Sequence, residues 1–327
     1  MILVSIIIAS AGRRPELLKK AIKSAIINDS DIQTEILVVL NGDSSDLFDM
    51  NSAIQHPSVK YFKLSEGNVS KARNYGIQKA RGEYIRFLDD DDTLIINVHK
   101  QQILQLKNTG EDVSSYSIDI YDDKSNYYGR SHSVEDGTNA IVKTFQVSSV
   151  ILIHAHLYRS DFIKDCKWNE NRCNAEDLEW LHSILRKFPK WKMYNDCVGI
   201  WYQHNDENRL SFVSINQDAT KVCAEQLIKS YEFYKKNNIN IENLELHVAK
   251  GLWGVIHKAF YLSPIYWTQI ALYALKLDPK SHPRDAIFQF IPFPIFIEWI
   301  MIPKRFCNFF WRILKGKFQN AHYVRKF

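Results

Sequence analysis

Leu3 to Ala9 form an apolar run interrupted only by Ser5, the pattern of a strand buried on both faces as in a parallel sheet. Ser10-Ala11-Gly12-Arg13-Arg14 breaks that run as a loop, and Pro15 suits the first turn of a helix. Leu17, Leu18, Ala21, Ile22, Ala25 and Ile26 then recur at the helical period and give the helix one apolar stripe. Glu35 to Leu40 has the character of a second buried strand, closed by the turn-forming Asn41-Gly42-Asp43-Ser44-Ser45-Asp46. Strand, loop, helix and strand in this order predict a right-handed βαβ unit, with Val59 to Leu64 as a third strand.

Asn68 is placed to cap the next helix and Gly82 to end it. Val69, Ala72, Gly76 and Ala80 give this helix a stripe of mostly small residues, suited to close packing on a sheet. Arg73 lies beside the stripe, either as a solvated helix arginine or with its guanidinium reaching the ligand edge of the sheet. Tyr84 to Leu88 predict a buried strand that runs into Asp89-Asp90-Asp91-Asp92. Four adjacent carboxylates repel one another, so keeping all of them ionised requires solvent, a cation or donors from a ligand. A strand tip that delivers Asp89 and Asp91 to one side suits a divalent ion with oxygen ligands; a solvated acidic turn is the plainer alternative.

Further on, Asn97 to Lys107 predict a helix and Val113 to Tyr121 a strand, while Lys124 to Gly137 is polar and turn-rich, as in a mobile surface loop. Asn174 to Leu181 open a helix whose core face is Leu178, Leu181 and Leu185. Its first turn carries Glu176 and Asp177, which the helix dipole alone would favour. Val198 to Tyr202 is a last apolar run of this region, followed by a polar loop with His204. Beside an acidic metal site, that histidine becomes a candidate ligand through its neutral imidazole.

Several of these stretches, in order, resemble the family 2 glycosyltransferases of GT-A fold. They are Ser5-Ile6-Ile7-Ile8-Ala9-Ser10, Glu35-Ile36-Leu37-Val38-Val39, Lys71-Ala72-Arg73-Asn74-Tyr75-Gly76-Ile77, Gly82-Glu83-Tyr84-Ile85 with Phe87-Leu88-Asp89-Asp90-Asp91-Asp92, and Ala175-Glu176-Asp177. The resemblance covers roughly residues 1–215. It implies an α/β fold, a Rossmann-like mixed sheet flanked by helices, and inverting transfer of a hexose from a sugar nucleotide such as a UDP-sugar. By motif match, Ala9, Ser10 and Arg13 line the nucleotide pocket, Asp89 contacts the ribose with Asp90 beside it, and Arg73 lies near the base or diphosphate. Asp91 binds Mn²⁺ or Mg²⁺ on the diphosphate, and His204 matches a histidine near that diphosphate. Asp177 is the expected base, with Glu176 its neighbour and Glu179 a further candidate; the helix N-terminus is expected to keep Asp177 ionised. One departure concerns the second strand, where Leu40-Asn41-Gly42-Asp43 replaces the family's Asp-Asp-Gly-Ser. Asn41 offers a base edge different donors and acceptors from a carboxylate.

Composition adds limits. The chain of 327 residues is 46% hydrophobic and 24% charged, which indicates a globular protein long enough for one large domain and an appendage. A net charge of +5 makes no case for nucleic acid, and the basic excess is a tail property. No acidic residue follows Glu298, whereas Lys304, Arg305, Arg312, Lys315, Lys317, Arg325 and Lys326 do. Five cysteines without CxxC spacing argue against a zinc site or a disulfide framework and for a reducing compartment. Met1 to Ile8 is too short and lacks a charged flank for a signal peptide, so a first strand is expected.

Residues 216–327 are expected to form a helical, aromatic and basic extension. Ala286 to Ile302 is short for a membrane span and broken by two prolines and a glutamate. With the tail that follows it suits a helix lying on a membrane surface, or else a subdomain packed on the core. A lipid-linked or glycan acceptor of envelope polysaccharide synthesis would fit a peripheral enzyme on the cytoplasmic face of the membrane. Two other functions compete: a degenerate GT-A domain serving as a membrane-bound assembly partner, for which only Leu40-Asn41 speaks, and a Mg²⁺-dependent nucleotidyltransferase. Against the latter, no Gly-rich P-loop and no GxGxxG follows the first strand.

Overall fold

The computed structural model describes residues 2–27, 29–43, 48–49, 53–122, 124–146, 152–172, 174–203, 217–290 and 293–314. Its first half is built on β1 (Ile2–Ser10), β2 (Ile32–Asn41), β3 (Val59–Leu64) and β4 (Tyr84–Asp89), all parallel and ordered β3-β2-β1-β4. The crossovers are α1 (Pro15–Ala25) and α2 (Val69–Lys79). Apart from Ser5 and Ser10, β1 is apolar because both its faces are covered. Val4, Ile6 and Ile8 pack with Leu18, Ala21, Ile22 and Ala25 of α1. Ile7 points the other way, so close to α2 that a Cβ on Gly76 would lie 2.4 Å from its Cγ2. The small-residue stripe of α2 thus has a steric cause, and Asn68 caps the helix by accepting from the Lys71 amide.

The chain continues through β5 (Thr93–Leu94), α3 (Ile96–Thr109), β6 (Val113–Asp122), β7 (Tyr127–Arg130), β8 (Thr138–Asn139) and α4 (Ala140–Phe145). After these come β9 (His156–Arg159), α5 (Ser160–Ile163), α6 (Glu176–Leu185) and β10 (Trp191–Gln203). β9 runs antiparallel between β4 and β6, and β10 lies parallel to β6, so the sheet is mixed. Chain order reverses at β1, with β2 on one side and β4 on the other. In open α/β sheets the crevice beyond the strand C-termini at such a switch point is where ligands bind.

Two expectations need correcting. Gly82 does not end α2, whose C-cap is Ala80. It is a glycine because a Cβ there would sit 2.5 Å from the Ser5 amide nitrogen. Nor is 124–137 a plain surface loop: β7 pairs with β6, and Ser131 and His132 are buried.

By packing, the chain divides into two compact units, Met1–Ala140 with Ser149–His204, and Ile141–Ser148 with Asn205–Lys326. The second unit is helical, as expected. It comprises α7 (Gln217–Lys236), α8 (Leu244–Ala259), α9 (Pro264–Leu277), α10 (Ile287–Phe290), α11 (Pro294–Ile300) and α12 (Ile302–Leu314). Glu298 of α11, fully buried, is held by His257 at 2.6 Å and Arg305 at 2.5 Å. No described helix is long and apolar enough to cross a membrane.

Candidate functional site

Parallel register sets the site. Ala9 pairs with Asp89 and Ser10 with Leu40, so the C-termini of β1, β2 and β4 bring Ala9, Ser10, Asn41 and the aspartates to one edge. Asn41 is buried there and donates an amide N–H to the Ser10 carbonyl at 3.0 Å, fastening two strand ends together. This commits part of the amide that was expected to read a base edge.

The four aspartates divide sharply by environment. The Asp89 side chain is 43% exposed and accepts from Arg73 Nη2 at 3.0 Å. Asp90 accepts from Ser10 Oγ and from Arg14 Nη2 at 2.6 Å, and burial pushes its carboxyl up against the pull of Arg14. Asp91 accepts from Arg14 Nη1 at 2.8 Å. Asp92, only 1% exposed, accepts from the Tyr202 amide of β10 at 3.1 Å and lies 3.3 Å from His154 Nδ1. Neither Asp90 nor Asp92 is therefore a solvated residue; Asp92 ties the β4 tip to β10.

Arg73 is the joint of the site. It is 5% exposed, so it is not a solvated helix arginine. Its guanidinium stacks 4.3 Å from the Trp168 ring centroid, and Trp168 lies parallel to Trp180 of α6 at 4.6 Å. One arm bonds Asp89, and the other reaches Glu176 at 3.4 Å. A single side chain thus spans from the strand tip to the start of α6.

At that start, Ala175 adopts φ 54°, a left-handed conformation that costs a β-carbon residue about 1 kcal/mol. Glu179 is held by Arg172 and Asn169. Asp177 accepts from the Leu178 amide at 2.7 Å. Contrary to the helix-dipole expectation, its carboxyl is pushed up to about 7. Desolvation and the neighbouring negative charge of Glu176 outweigh the Leu178 hydrogen bond and Arg73.

Of the residues expected in the site, the fold gathers Ala9, Ser10, Asn41, Arg73, Asp89, Asp90, Asp91, Glu176 and Asp177. Arg13 is exposed, and it is Arg14 whose guanidinium enters the aspartate cluster. His204 lies outside the described residues. Trp168 was not foreseen, since no spacing rule links it to an arginine in α2; the pairing of Pro15 with a preceding arginine was the one available pointer to Arg14. Among the described residues no group of three His, Cys, Asp or Glu side chains forms a cation site. Asp89 and Asp91 supply hard carboxylate oxygens, the kind of partial donor set that Mg²⁺ or Mn²⁺ takes when substrate phosphates complete the shell. The guanidinium already drawn onto Asp90 and Asp91 shows that this tip attracts positive charge.

Residues 5–166 match the model of the family described as glycosyl transferase family 2. The chain is 24% identical over 192 residues to the minor teichoic acid biosynthesis protein GgaB of Bacillus subtilis strain 168, covering 55% of this chain but only 21% of that protein. It is 24% identical to the O-antigen biosynthesis glycosyltransferase WbnJ of Escherichia coli, covering 70% of this chain and 89% of WbnJ. With the poly(ribitol-phosphate) beta-N-acetylglucosaminyltransferase TarP of Staphylococcus aureus strain N315, identity is 23% over 75% of this chain and 69% of TarP. Among solved structures, S. aureus TarS 1-349 in complex with UDP-GlcNAc superposes with a TM-score of 0.62 at 15% identity, over 84% of this chain and 80% of that one. The fold is that of the GT-A enzymes.

Proposed function

The chain is a member of glycosyltransferase family 2, and from that premise we propose that it moves a hexose from a UDP-sugar to a hydroxyl of a glycan or lipid-linked glycan in cell-envelope polysaccharide synthesis. The observation that carries this is the Arg73 bridge between Asp89 and Glu176. It sets a donor-side carboxylate and a base-side carboxylate pair one guanidinium apart, which supports a reading in which donor and base act on one transfer centre.

Asp177 takes the proton of the acceptor hydroxyl as that oxygen attacks the anomeric carbon, and the nucleoside diphosphate departs with the bonding pair. Asp89 orients the donor, and Arg73 holds its positive charge beside the place where the diphosphate gathers negative charge. Asp91, with His204 as a further candidate ligand, would hold Mn²⁺ or Mg²⁺, which when bound would supply Lewis-acid stabilisation of that leaving group. Incubation with Mn²⁺ and a panel of sugar nucleotides, followed by assay of nucleoside diphosphate release, tests the activity; no release from any donor would leave the domain without this role.

A base with pKa near the working pH combines adequate basicity with a populated ionised form. Asp177, raised to about 7, is protonated below that value and inactive as a base there. The rate should therefore rise with pH through about 7. Glu176→Gln removes one of the charges that raise Asp177, so the acidic limb of kcat/KM should shift to lower pH. A limb that stays in place in Glu176→Gln would uncouple the two carboxylates.

The C-terminal unit is proposed to rest on the cytoplasmic surface of a membrane carrying the acceptor. Support comes from large apolar side chains left exposed at Phe293, which precedes α11, at Phe296 and Ile300 of α11 and at Trp311 of α12, with Lys304 also exposed. Co-flotation with anionic phospholipid vesicles should drop in Phe293→Ser/Phe296→Ser. Equal recovery of variant and wild type would defeat the membrane contact.

A further inference from the structure

Asn74 follows Arg73 on α2 and is 7% exposed. Its side-chain amide pairs with the backbone of Trp168, 94 residues on, as a neighbouring strand would. Oδ1 accepts from the Trp168 amide at 2.8 Å, and Nδ2 donates to the Trp168 carbonyl at 3.0 Å and to Glu170 Oε1 at 2.8 Å. Among the described residues, every side-chain hydrogen bond of Asn74 goes to this segment between α5 and α6. Asn68, the cap of α2, adds a bond from its own Nδ2 to the Glu170 carbonyl at 2.7 Å. At the far end, Asn169 and Arg172 hold Glu179 of α6. Residues 168–172 thus form a strap from α2 to the helix that begins with Glu176 and Asp177. What the strap presents is the indole of Trp168, 1% exposed. The Arg73 guanidinium lies 4.3 Å from its centroid, Trp180 stacks on it at 4.6 Å, and Phe87 of β4 meets it edge-on at 5.1 Å. A long arginine side chain has many rotamers to lose, and a flat ring beneath its planar fork selects among them.

We propose that Asn74 is a positioning residue for transfer, acting through Trp168: by fixing the backbone of that residue it sets the ring on which Arg73 rests, and with it the span from Asp89 to the start of α6. This rests on the transfer centre proposed above. Without the Asn74 pairing the ring is free to shift, and Arg73 loses the platform that aims one arm at Asp89 and the other at Glu176. A shift of about 1 Å at a reacting centre costs on the order of a hundredfold in rate. The displaced charge also acts on the base. Desolvation and Glu176 raise the Asp177 carboxyl, and Arg73 opposes them. With Arg73 displaced, Asp177 is raised further and its ionised form is reached only at higher pH. The acidic limb of kcat/KM then moves up, the reverse of its shift in Glu176→Gln.

The test compares the full chain with Asn74→Ala, Trp168→Leu and Trp168→Phe. Uridine diphosphate release from the UDP-sugar that wild type turns over is followed across pH, and urea unfolding gives the folded fraction of each protein. Asn74→Ala and Trp168→Leu should each lose about a hundredfold in kcat per folded molecule, and their acidic limbs should move to higher pH. Trp168→Phe keeps an aromatic face for the guanidinium and should retain most of the rate, with the limb in place. Should Asn74→Ala fail to fold, Trp168→Leu, whose backbone keeps the Asn74 bonds, carries the same comparison. A strap with a structural role alone would lower the folded fraction but leave kcat per folded molecule and the limb at their wild-type values. That result overturns the positioning role and leaves the transfer reading standing. If wild type releases uridine diphosphate from no UDP-sugar, the transfer reading fails and the role of Asn74 falls with it.

Discussion

Asp177→Asn is expected to bind donor nearly normally and to lose transfer by about two or more powers of ten, the usual size of general-base catalysis. Asparagine keeps an oxygen for the Leu178 amide that Asp177 now bonds at 2.7 Å, so the start of α6 should hold its shape. It also removes a carboxylate whose ionisation is opposed by desolvation and by Glu176, so folding stability should not suffer. What disappears is the acceptor for the hydroxyl proton. Single-turnover rates alongside uridine diphosphate affinity by calorimetry would separate the two effects. Wild-type turnover in Asp177→Asn would move the role to Glu176, paired with Arg73, or to Glu179, paired with Arg172.

An alanine scan across the four aspartates should split into two classes. Asp91→Ala should abolish metal-dependent nucleotide binding, and Asp89→Ala should weaken the nucleotide while leaving Arg73 paired with Glu176 alone. Asp90→Ala and Asp92→Ala should instead lower stability. Asp92, 1% exposed, satisfies the Tyr202 amide, and an orphaned buried donor costs about 1–3 kcal/mol. Nucleotide calorimetry with and without Mn²⁺, together with urea unfolding, would resolve the classes. Equal losses at all four positions would refute the division, and nucleotide affinity indifferent to Mn²⁺ would count against the metal on Asp91.

The contrast between these two experiments follows from how the site is assembled. Asp89 to Asp92 are neighbours in sequence, yet they meet solvent, Ser10, Arg14 and a β10 amide in turn. Alternation along a strand sends successive side chains to opposite faces, and the turn after Asp89 spreads them further. A run of identical residues carries no mark of that division.

Local periodicity was enough for the parallel core. The apolar runs of β1, β2 and β4, the stripe of α1 and the small residues of α2 each follow from covering a sheet on both faces, an effect of nearest packing. The resemblance carried by the spaced motifs implies that Ala9, Ser10, Arg73, Asp89, Asp91 and Asp177 share one site, and apolar periodicity assigns the chain after 216 to helices. Tertiary structure alone decided that Arg14 rather than Arg13 enters the aspartates, that Trp168 carries Arg73, and that Asp177 titrates near 7. Each depends on partners far apart in the chain or on burial: Arg14 and Asp91 are 77 residues apart, Arg73 and Glu176 103. Periodicity reports which face a residue shows, whereas the charge a carboxyl carries depends on what the whole fold sets against it.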